Sequence, residues 1–159
     1  MRRFGTIKIT SEQPSTLRGL DPLSHDFDVS WLTQQLASSK QNIKSWLLRQ
    51  DRLLGIGNIY ACEALFKARI DPKRRCCDLT RAEIAHLRHA VVSILEKAIE
   101  LKGTSFSDFQ DAHGKAGKFQ NLLMVYDRQG ETCLRCRGGQ ISRLTQGQRG
   151  TYFCPKCQR

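Results

Sequence analysis

The sequence has no long apolar run. No stretch of its 159 residues approaches the roughly 20 apolar residues that a membrane-spanning helix needs. The opening segment, residues 1–5, is not followed by the apolar core of a secretory signal peptide, so we expect no export signal here. Internal repeats and low-complexity tracts are also missing. These absences argue against an integral membrane protein and against a repeat array.

Acidic residues are scarce, with 15 Asp and Glu against 26 Lys and Arg, so the net charge is +11 and the pI is near 9.7. A surface this cationic commonly binds phosphate backbones, and such binding weakens as salt rises. An anionic membrane surface is the competing partner, but no basic amphipathic helix stands out. We therefore expect a nucleic-acid partner and no membrane partner. The length predicts one domain, or one domain with a small satellite.

Cysteine, by contrast, is frequent. Seven is an odd number, which fits free thiols in a reducing cytoplasm better than a secreted disulfide framework. Four of the seven form two C-x2-C pairs, Cys133 with Cys136 and Cys154 with Cys157, separated by 17 residues. This spacing predicts one structural Zn²⁺ held by four thiolates, with a β-hairpin between the two pairs.

The surroundings of these cysteines are basic. Residues 113–159 contain nine Lys and Arg against two Asp and Glu. A zinc ribbon in a positive field indicates a nucleic-acid-binding protein. A purely structural zinc clip in another kind of protein is the alternative.

Hydrophobic periodicity predicts four helices, at about 28–37, 40–50, 58–68 and 80–101. Asp28 is the expected N-cap of the first helix, and residues 80–83 (TRAE) form a capping box at the start of the fourth. Segments with strand character lie at 6–10, at 140–145 and at 149–153, and residues 122–126 are either a strand or an extended link. The predicted fold class is mainly α with a small β component, a helical domain followed by a zinc β-hairpin finger.

The segment from Gly55 to Tyr60 (GIGNIY) joins the second and third predicted helices. Glycine permits positive φ and a close approach of the backbone to a ligand. Asn58 stands at the start of a helix, where unpaired N–H groups suit a phosphate. In the alternative interpretation, the segment is only a tight corner between helices and Asn58 is only its N-cap.

Two longer segments carry a family resemblance. Residues 54–72 (LGIGNIYACEALFKARIDP) and 148–158 (QRGTYFCPKCQ) resemble the formamidopyrimidine-DNA glycosylase family, and shorter matches follow in the family's order at 2–5, 22–27, 43–47 and 125–130. The resemblance implies a helix–two-turns–helix domain and a four-cysteine zinc finger that bind damaged double-stranded DNA. The implied domains are a remnant strand and linker at 1–22, the helical domain at 23–121 and the finger at 122–159.

The resemblance also implies roles for individual residues. Asn58 and Arg149 match the pair that grips the phosphates flanking the damaged nucleotide. Arg2 and Phe4 match an intercalation pair, although Phe4 is equally well explained as a frayed terminal hydrophobe. Residues 103–119 match the flexible loop that covers a flipped base in some members. In all, seven residues are expected to contact DNA: Arg2, Phe4, Lys44, Gly57, Asn58, Tyr126 and Arg149.

The family's catalytic residues have no counterpart in this sequence. The family uses an N-terminal proline as a Schiff-base nucleophile and a neighbouring glutamate for proton transfer, both in an N-terminal domain. Here the first proline is Pro14 and the first carboxylate is Glu12. No catalytic residue is therefore assigned, and we expect glycosylase and lyase activity to be weak or absent in this chain alone. An N-terminal half supplied in trans by another chain and a truncated gene product are two explanations of this pattern.

Other functions remain open at this point. The alternative to a glycosylase part is a non-catalytic, zinc-dependent binder of abasic, bent or gapped DNA, and structured RNA is a less favoured partner. Either function predicts a cytoplasmic protein associated with a bacterial nucleoid.

Overall fold

A computed structural model describes residues 19–104 and 117–159 of the chain. Within these residues the fold is mainly helical, with one antiparallel hairpin, as the sequence predicts. None of the described helices is both long enough and apolar enough to cross a membrane. The helices are α1 (Val29–Ala37), α2 (Ile43–Leu47), α3 (Asn58–Ala68) and α4 (Arg81–Glu100), and the strands are β1 (Ser142–Gln146) and β2 (Arg149–Phe153).

Side-chain caps set where the helices begin. Asp28 accepts a hydrogen bond from the backbone N–H of Trp31 at 2.6 Å, which confirms it as the N-cap of α1. The capping box of α4 is also confirmed, because Thr80 and Glu83 exchange both of its hydrogen bonds. Helix α2 is shorter than predicted at both ends. Asn42 caps it just before Ile43, and the chain leaves the helix at Leu48.

The main core lies among the four helices. Helices α3 and α4 form its largest contact, and α1 packs on α4. Phe27, Trp31 and Trp46 stack edge to face along one side of this core, with ring centroids 5.9 and 6.5 Å apart. Apolar residues from every helix are buried here, including Leu32, Leu36, Ile43, Leu47, Leu65, Leu87 and Val91.

A second, smaller core lies between α3 and the finger. Cys62 and Phe66 of α3 pack against Val125, Ile141, Cys133 and Cys154. The prediction that Cys62 is a packing residue is confirmed, because only 1% of it is exposed. Helix α3 therefore has one face in each core, and it joins the finger to the helical part.

The β-hairpin turns at Gly147 and Gln148, both with positive φ (53° and 61°), as a two-residue turn requires. Strand β1 begins two residues later than predicted. Residues 140 and 141 pair instead with the segment at 131–132, through an isolated bridge and the bond from the N–H of Ile141 to the carbonyl of Glu131.

Residues 122–126 do not form a strand. A short 3-10 helix covers Phe119–Leu122, and an irregular link leads from it into the finger. The division into domains at 22 and 121 stays a prediction, and its first segment is almost entirely outside the described residues.

Candidate nucleic-acid interface

The four predicted zinc ligands form a cluster. The Sγ atoms of Cys133, Cys136, Cys154 and Cys157 all lie within 4.8 Å of one another. Two pairs across the cluster are 3.7 and 3.9 Å apart. Tetrahedral zinc with Zn–S bonds of about 2.3 Å requires sulfurs about 3.8 Å apart, so this cage fits the ion. The cluster confirms the prediction of one structural zinc site.

Two neighbouring residues shape this cage. A Cβ atom at Gly139 would lie 3.1 Å from Sγ of Cys154 and 3.4 Å from Sγ of Cys136, so glycine keeps the space free for the sulfurs. Gln158 is buried and accepts a hydrogen bond from the N–H of Cys154 at 2.8 Å. Its amide also donates to the carbonyl of Ile70 at 2.9 Å, which ties the second knuckle to the segment after α3.

The start of α3 meets the hairpin at one carbonyl group. Nδ2 of Asn58 donates to the carbonyl oxygen of Gly150 at 2.9 Å, and Nζ of Lys44 lies 3.3 Å from the same oxygen. Lys44 also donates to Oγ1 of Thr151 at 2.8 Å. The helical part and β2 are thus joined beside Arg149, which is exposed at the start of the strand.

These contacts correct the interpretation of Asn58 as only an N-cap. Gly57 is the N-cap of α3 and makes no side-chain cap bond, whereas Asn58 is the first helical residue and its amide points to the hairpin. Gly55 has the expected positive φ of 73°, but Gly57 does not, with φ at −92°. The space where a Cβ of Gly57 would lie is open, so the backbone there can be approached closely.

Lys44 is fully buried. Burial lowers the pKa of its ammonium group, and the positive charge of Arg149 acts in the same direction, whereas Cys62 opposes it. Oδ1 of Asn58 is buried as well, and none of the described residues donates to it. The ammonium group of Lys44 and the guanidinium group of Arg149 are thus close enough at this junction to affect each other electrostatically.

A buried carboxylate fixes the link into the finger. Glu63 of α3 accepts hydrogen bonds from the consecutive N–H groups of Met124, Val125 and Tyr126, at 2.9 to 3.1 Å. Burial raises the pKa of Glu63, although these bonds favour the ionised form. The ring of Tyr126, an expected phosphate contact, packs on Tyr152 of β2 at 5.0 Å. Sequence reasoning missed Glu63, and its only signal was an acidic residue among the apolar positions of a predicted helix.

The remaining predicted site residues are not described. Arg2 and Phe4 lie outside the described residues, as does most of the segment 103–119. The two ends of that segment lie together. The N–H groups of Lys118 and Phe119 donate to the carbonyls of Leu101 and Gly103, and a Cβ at Gly117 would collide with the carbonyl group of Gly103.

A helical corner joined to a zinc-binding hairpin defines a class of protein, the helix–two-turns–helix proteins with a C-terminal zinc finger. Comparison with known proteins gives the family. The family model described as the formamidopyrimidine-DNA glycosylase H2TH domain matches residues 18–110, and that of the zinc finger found in FPG and IleRS matches residues 130–159. The chain belongs to the formamidopyrimidine-DNA glycosylase family.

Individual relatives agree with this assignment. The formamidopyrimidine-DNA glycosylase of Halalkalibacterium halodurans is 41% identical over 100% of this chain and 60% of its own length, and that of Desulfitobacterium hafniense is 45% identical over 99% and 59%. The crystal structure of the MutM (Fpg) protein from Thermus thermophilus superposes with a TM-score of 0.84 at 40% identity, over 89% of this chain and 54% of that one. The chain thus spans about 60% of the length of the curated relatives it matches.

Proposed function

We propose that this chain binds damaged duplex DNA as part of a base-excision repair protein of the glycosylase/AP lyase type. The observation that carries the proposal is the junction at Gly150. It brings the N-terminal end of α3, where Asn58 lies, next to Arg149 on the hairpin. An open helix N-terminus and an exposed guanidinium at one place suit adjacent phosphates of one strand.

The relatives supply the substrate class. One structure of the Lactococcus lactis Fpg is a complex with DNA containing an abasic site, and it superposes on this chain with a TM-score of 0.80 at 38% identity. Asn58 and Arg149 are proposed as the two phosphate clamps, with Gly57 giving backbone access and Tyr126 adding a contact from the link. Lys44 is proposed as a further phosphate contact. Because Lys44 is buried, this proposal requires that the phosphate lies on the protein surface over the Gly150 junction.

Catalysis is a separate part of the proposal. The family's proline and glutamate have no counterpart among these 159 residues. The chain alone is therefore proposed to be weakly active or inactive in base excision, and to need an N-terminal half for efficient turnover. Arg2 and Phe4 are proposed as the intercalating pair. The cellular site that follows is the bacterial cytoplasm, in association with the nucleoid.

Binding is tested with short duplexes that differ only in one abasic-site analogue. We expect tighter binding to the abasic duplex, and we expect Arg149→Gln to weaken it by about tenfold or more, because a bidentate contact to phosphate is lost. Arg143→Gln is the matched control, an arginine of the same hairpin that faces Tyr152. Equal affinities for the two duplexes, or an effect of Arg143 as large as that of Arg149, would contradict the proposal.

A second candidate is a non-catalytic binder of abasic, bent or gapped DNA. Borohydride trapping on abasic DNA separates the two functions when a family N-terminal half is added, because only a complete Schiff-base-forming site gives a covalent adduct. Trapping that requires both halves would support the glycosylase/lyase function, whereas rapid trapping by this chain alone would contradict its proposed weak activity. Binding without trapping when both halves are present would support the non-catalytic function, and preference for structured RNA would exclude both.

A further inference from the structure

Away from the Gly150 junction, the structure has a second concentration of positive charge. A cleft of about 520 Å³ lies between the C-terminal end of α3 and the zinc knuckles, and its lining consists of Arg69, Arg135, Cys136, Lys156, Cys157 and Arg159. Asn58 begins α3 and Arg69 follows its last residue, so the two ends are about 16 Å apart along the helix. We propose that this cationic cleft binds the phosphate backbone of a second DNA segment.

Backbone hydrogen bonds hold two of these arginines side by side. The N–H of Arg159 donates to the carbonyl of Arg69 at 3.2 Å, and the N–H of Asp71 donates to the carbonyl of Arg159 at 3.1 Å. Both arginines are exposed. Arg69 has a φ of 63°, in the left-handed region where glycine is the usual helix-ending residue. The fold thus keeps the backbones of two exposed arginines side by side, one of them at a position whose conformation favours glycine.

Of the other two cations, Arg135 is held by a ring contact and a hydrogen bond, and Lys156 lies along the zinc knuckles. The guanidinium of Arg135 lies 4.0 Å from the ring centroid of Phe66 and donates to the carbonyl of that residue, which leaves most of its five N–H donors available. The ammonium of Lys156 lies against Gly138, where a Cβ atom would be 2.8 Å from Nζ. The side chain of Lys156 therefore crosses from the second knuckle to the first.

No acidic side chain balances this group within the described residues. None of the four cations forms an ion pair with a described side chain, and neither Asp nor Glu lines the cleft. A neighbouring cleft of about 300 Å³ shares Arg69 and continues past His86 and His89 of α4, again without an acidic residue. The positive surface thus extends along a path, which suits a phosphate chain better than a compact anion.

A tetrathiolate zinc site carries two formal negative charges, and neutralising them is the competing explanation for these cations. The two explanations predict different losses. If the cations serve the zinc site, their removal lowers zinc retention. If they bind a phosphate backbone, their removal weakens binding of a second duplex and reduces its dependence on salt.

The experiment uses the zinc-loaded full chain, first saturated with a short abasic duplex and then titrated with a second, intact duplex carrying a different dye. We expect the second duplex to bind at low salt, with energy transfer between the dyes. The double variant Arg69→Gly, Lys156→Gln should weaken this second event by about tenfold or more and lower its salt slope by about two, at equal measured zinc content. Glycine suits the left-handed conformation at position 69, so the fold should survive.

Three results would overturn the proposal. In the first, no second duplex binds, and in the second, the double variant binds it as tightly as wild type does. In the third, polyglutamate competes more tightly than duplex DNA, which would indicate an acidic protein partner. Lys97→Gln is the control, because it removes an exposed cation outside both clefts and should leave the second event unchanged. Arg149→Gln should weaken only the first event, so failure of this proposal and failure of the proposed function are distinguishable.

Discussion

The helical part and the zinc finger are stabilised by different kinds of interaction. The four helices share one apolar cluster to which each of them contributes. The finger has only the small cluster on α3, in which two of the six buried residues are zinc ligands and two more belong to α3 itself. A segment with so little apolar surface of its own depends on its metal and on polar contacts with its neighbour.

Zinc removal should produce the largest difference in stability between the helical part and the finger. A structural Zn²⁺ contributes on the order of 10–16 kcal/mol in isolated finger peptides, so we expect a chelator to unfold the residues beyond about 125. Amide exchange should show loss of protection there, while the helices keep theirs. DNA binding should be lost, because Arg149 loses its fixed position. Finger amides that remain protected after verified zinc removal would contradict this view.

A cavity in the main core should destabilise the helical part and leave the zinc site of the finger intact. Leu87 of α4 is fully buried, and Leu87→Ala should lower the free energy of unfolding by about 2–5 kcal/mol. Denaturant unfolding measures this change, and zinc content should not fall. Ile99→Ala is the control on the same helix, because 66% of Ile99 is exposed. Equal losses in the two variants would show that burial does not explain the effect.

Glu63→Gln tests the joint between the two parts. One carboxylate oxygen would become an NH₂ group facing a backbone N–H, so we expect a loss of about 1–3 kcal/mol and faster amide exchange at residues 124–126. Glu96→Gln, an exposed glutamate of α4, should change neither quantity. Unchanged exchange at 124–126 in the Glu63 variant would show that the joint does not need the carboxylate.

The same residue predicts a pH dependence. Burial raises the pKa of Glu63 above its unfolded value, so protonation favours the fold. This contribution to the free energy of unfolding is fully present below the pKa that Glu63 has in the unfolded chain. It is lost as pH rises through the higher pKa that Glu63 has in the folded protein. Glu63→Gln should remove this pH dependence of the unfolding free energy. If the unfolding free energies of the variant and of wild type depend on pH in the same way, Glu63 is not the group responsible.

The smallest effect is expected at the capping box of α4. Burial acts to raise the pKa of Glu83, but its bonds with Arg74 and Thr80 outweigh burial, so the pKa is lowered. Its contribution is therefore present above the unfolded pKa and is lost as pH falls through the folded value. Glu83→Gln should cost about 0.5–1 kcal/mol, because the pair is partly exposed. Thermal unfolding at two pH values measures this, and a change in finger protection would contradict the separation of the two parts.

The elements that could be predicted are those with local signals. Asp28, the box at Thr80 and Glu83, and the two cysteine knuckles each act within a few residues, and the structure confirms them. The predicted bounds of α3, at about 58–68, are also confirmed, and the residue that ends the helix is Arg69 in the left-handed conformation.

Long-range contacts could not be predicted in detail. Asn58 and Gly150 are 92 positions apart, and Glu63 and Met124 are 61 apart. Periodicity places a residue on a face of a helix, but it does not say which distant carbonyl group or N–H it will meet. The family resemblance supplies the pairing of Asn58 with Arg149 as an expectation, whereas the one signal for Glu63, an acidic residue among apolar helix positions, does not identify the N–H groups that it binds.

The close approach of Gly117 to Gly103 has a practical consequence. The chain leaves α4 and returns to it at nearly the same point. There, the carbonyls of Leu101 and Gly103 accept hydrogen bonds from the N–H groups of Lys118 and Phe119. Lengthening a segment whose ends are already joined adds little closure entropy. A reporter peptide grafted between residues 104 and 117 should therefore leave the register of the helices and of the finger intact, which makes this the natural insertion point for labelling the protein.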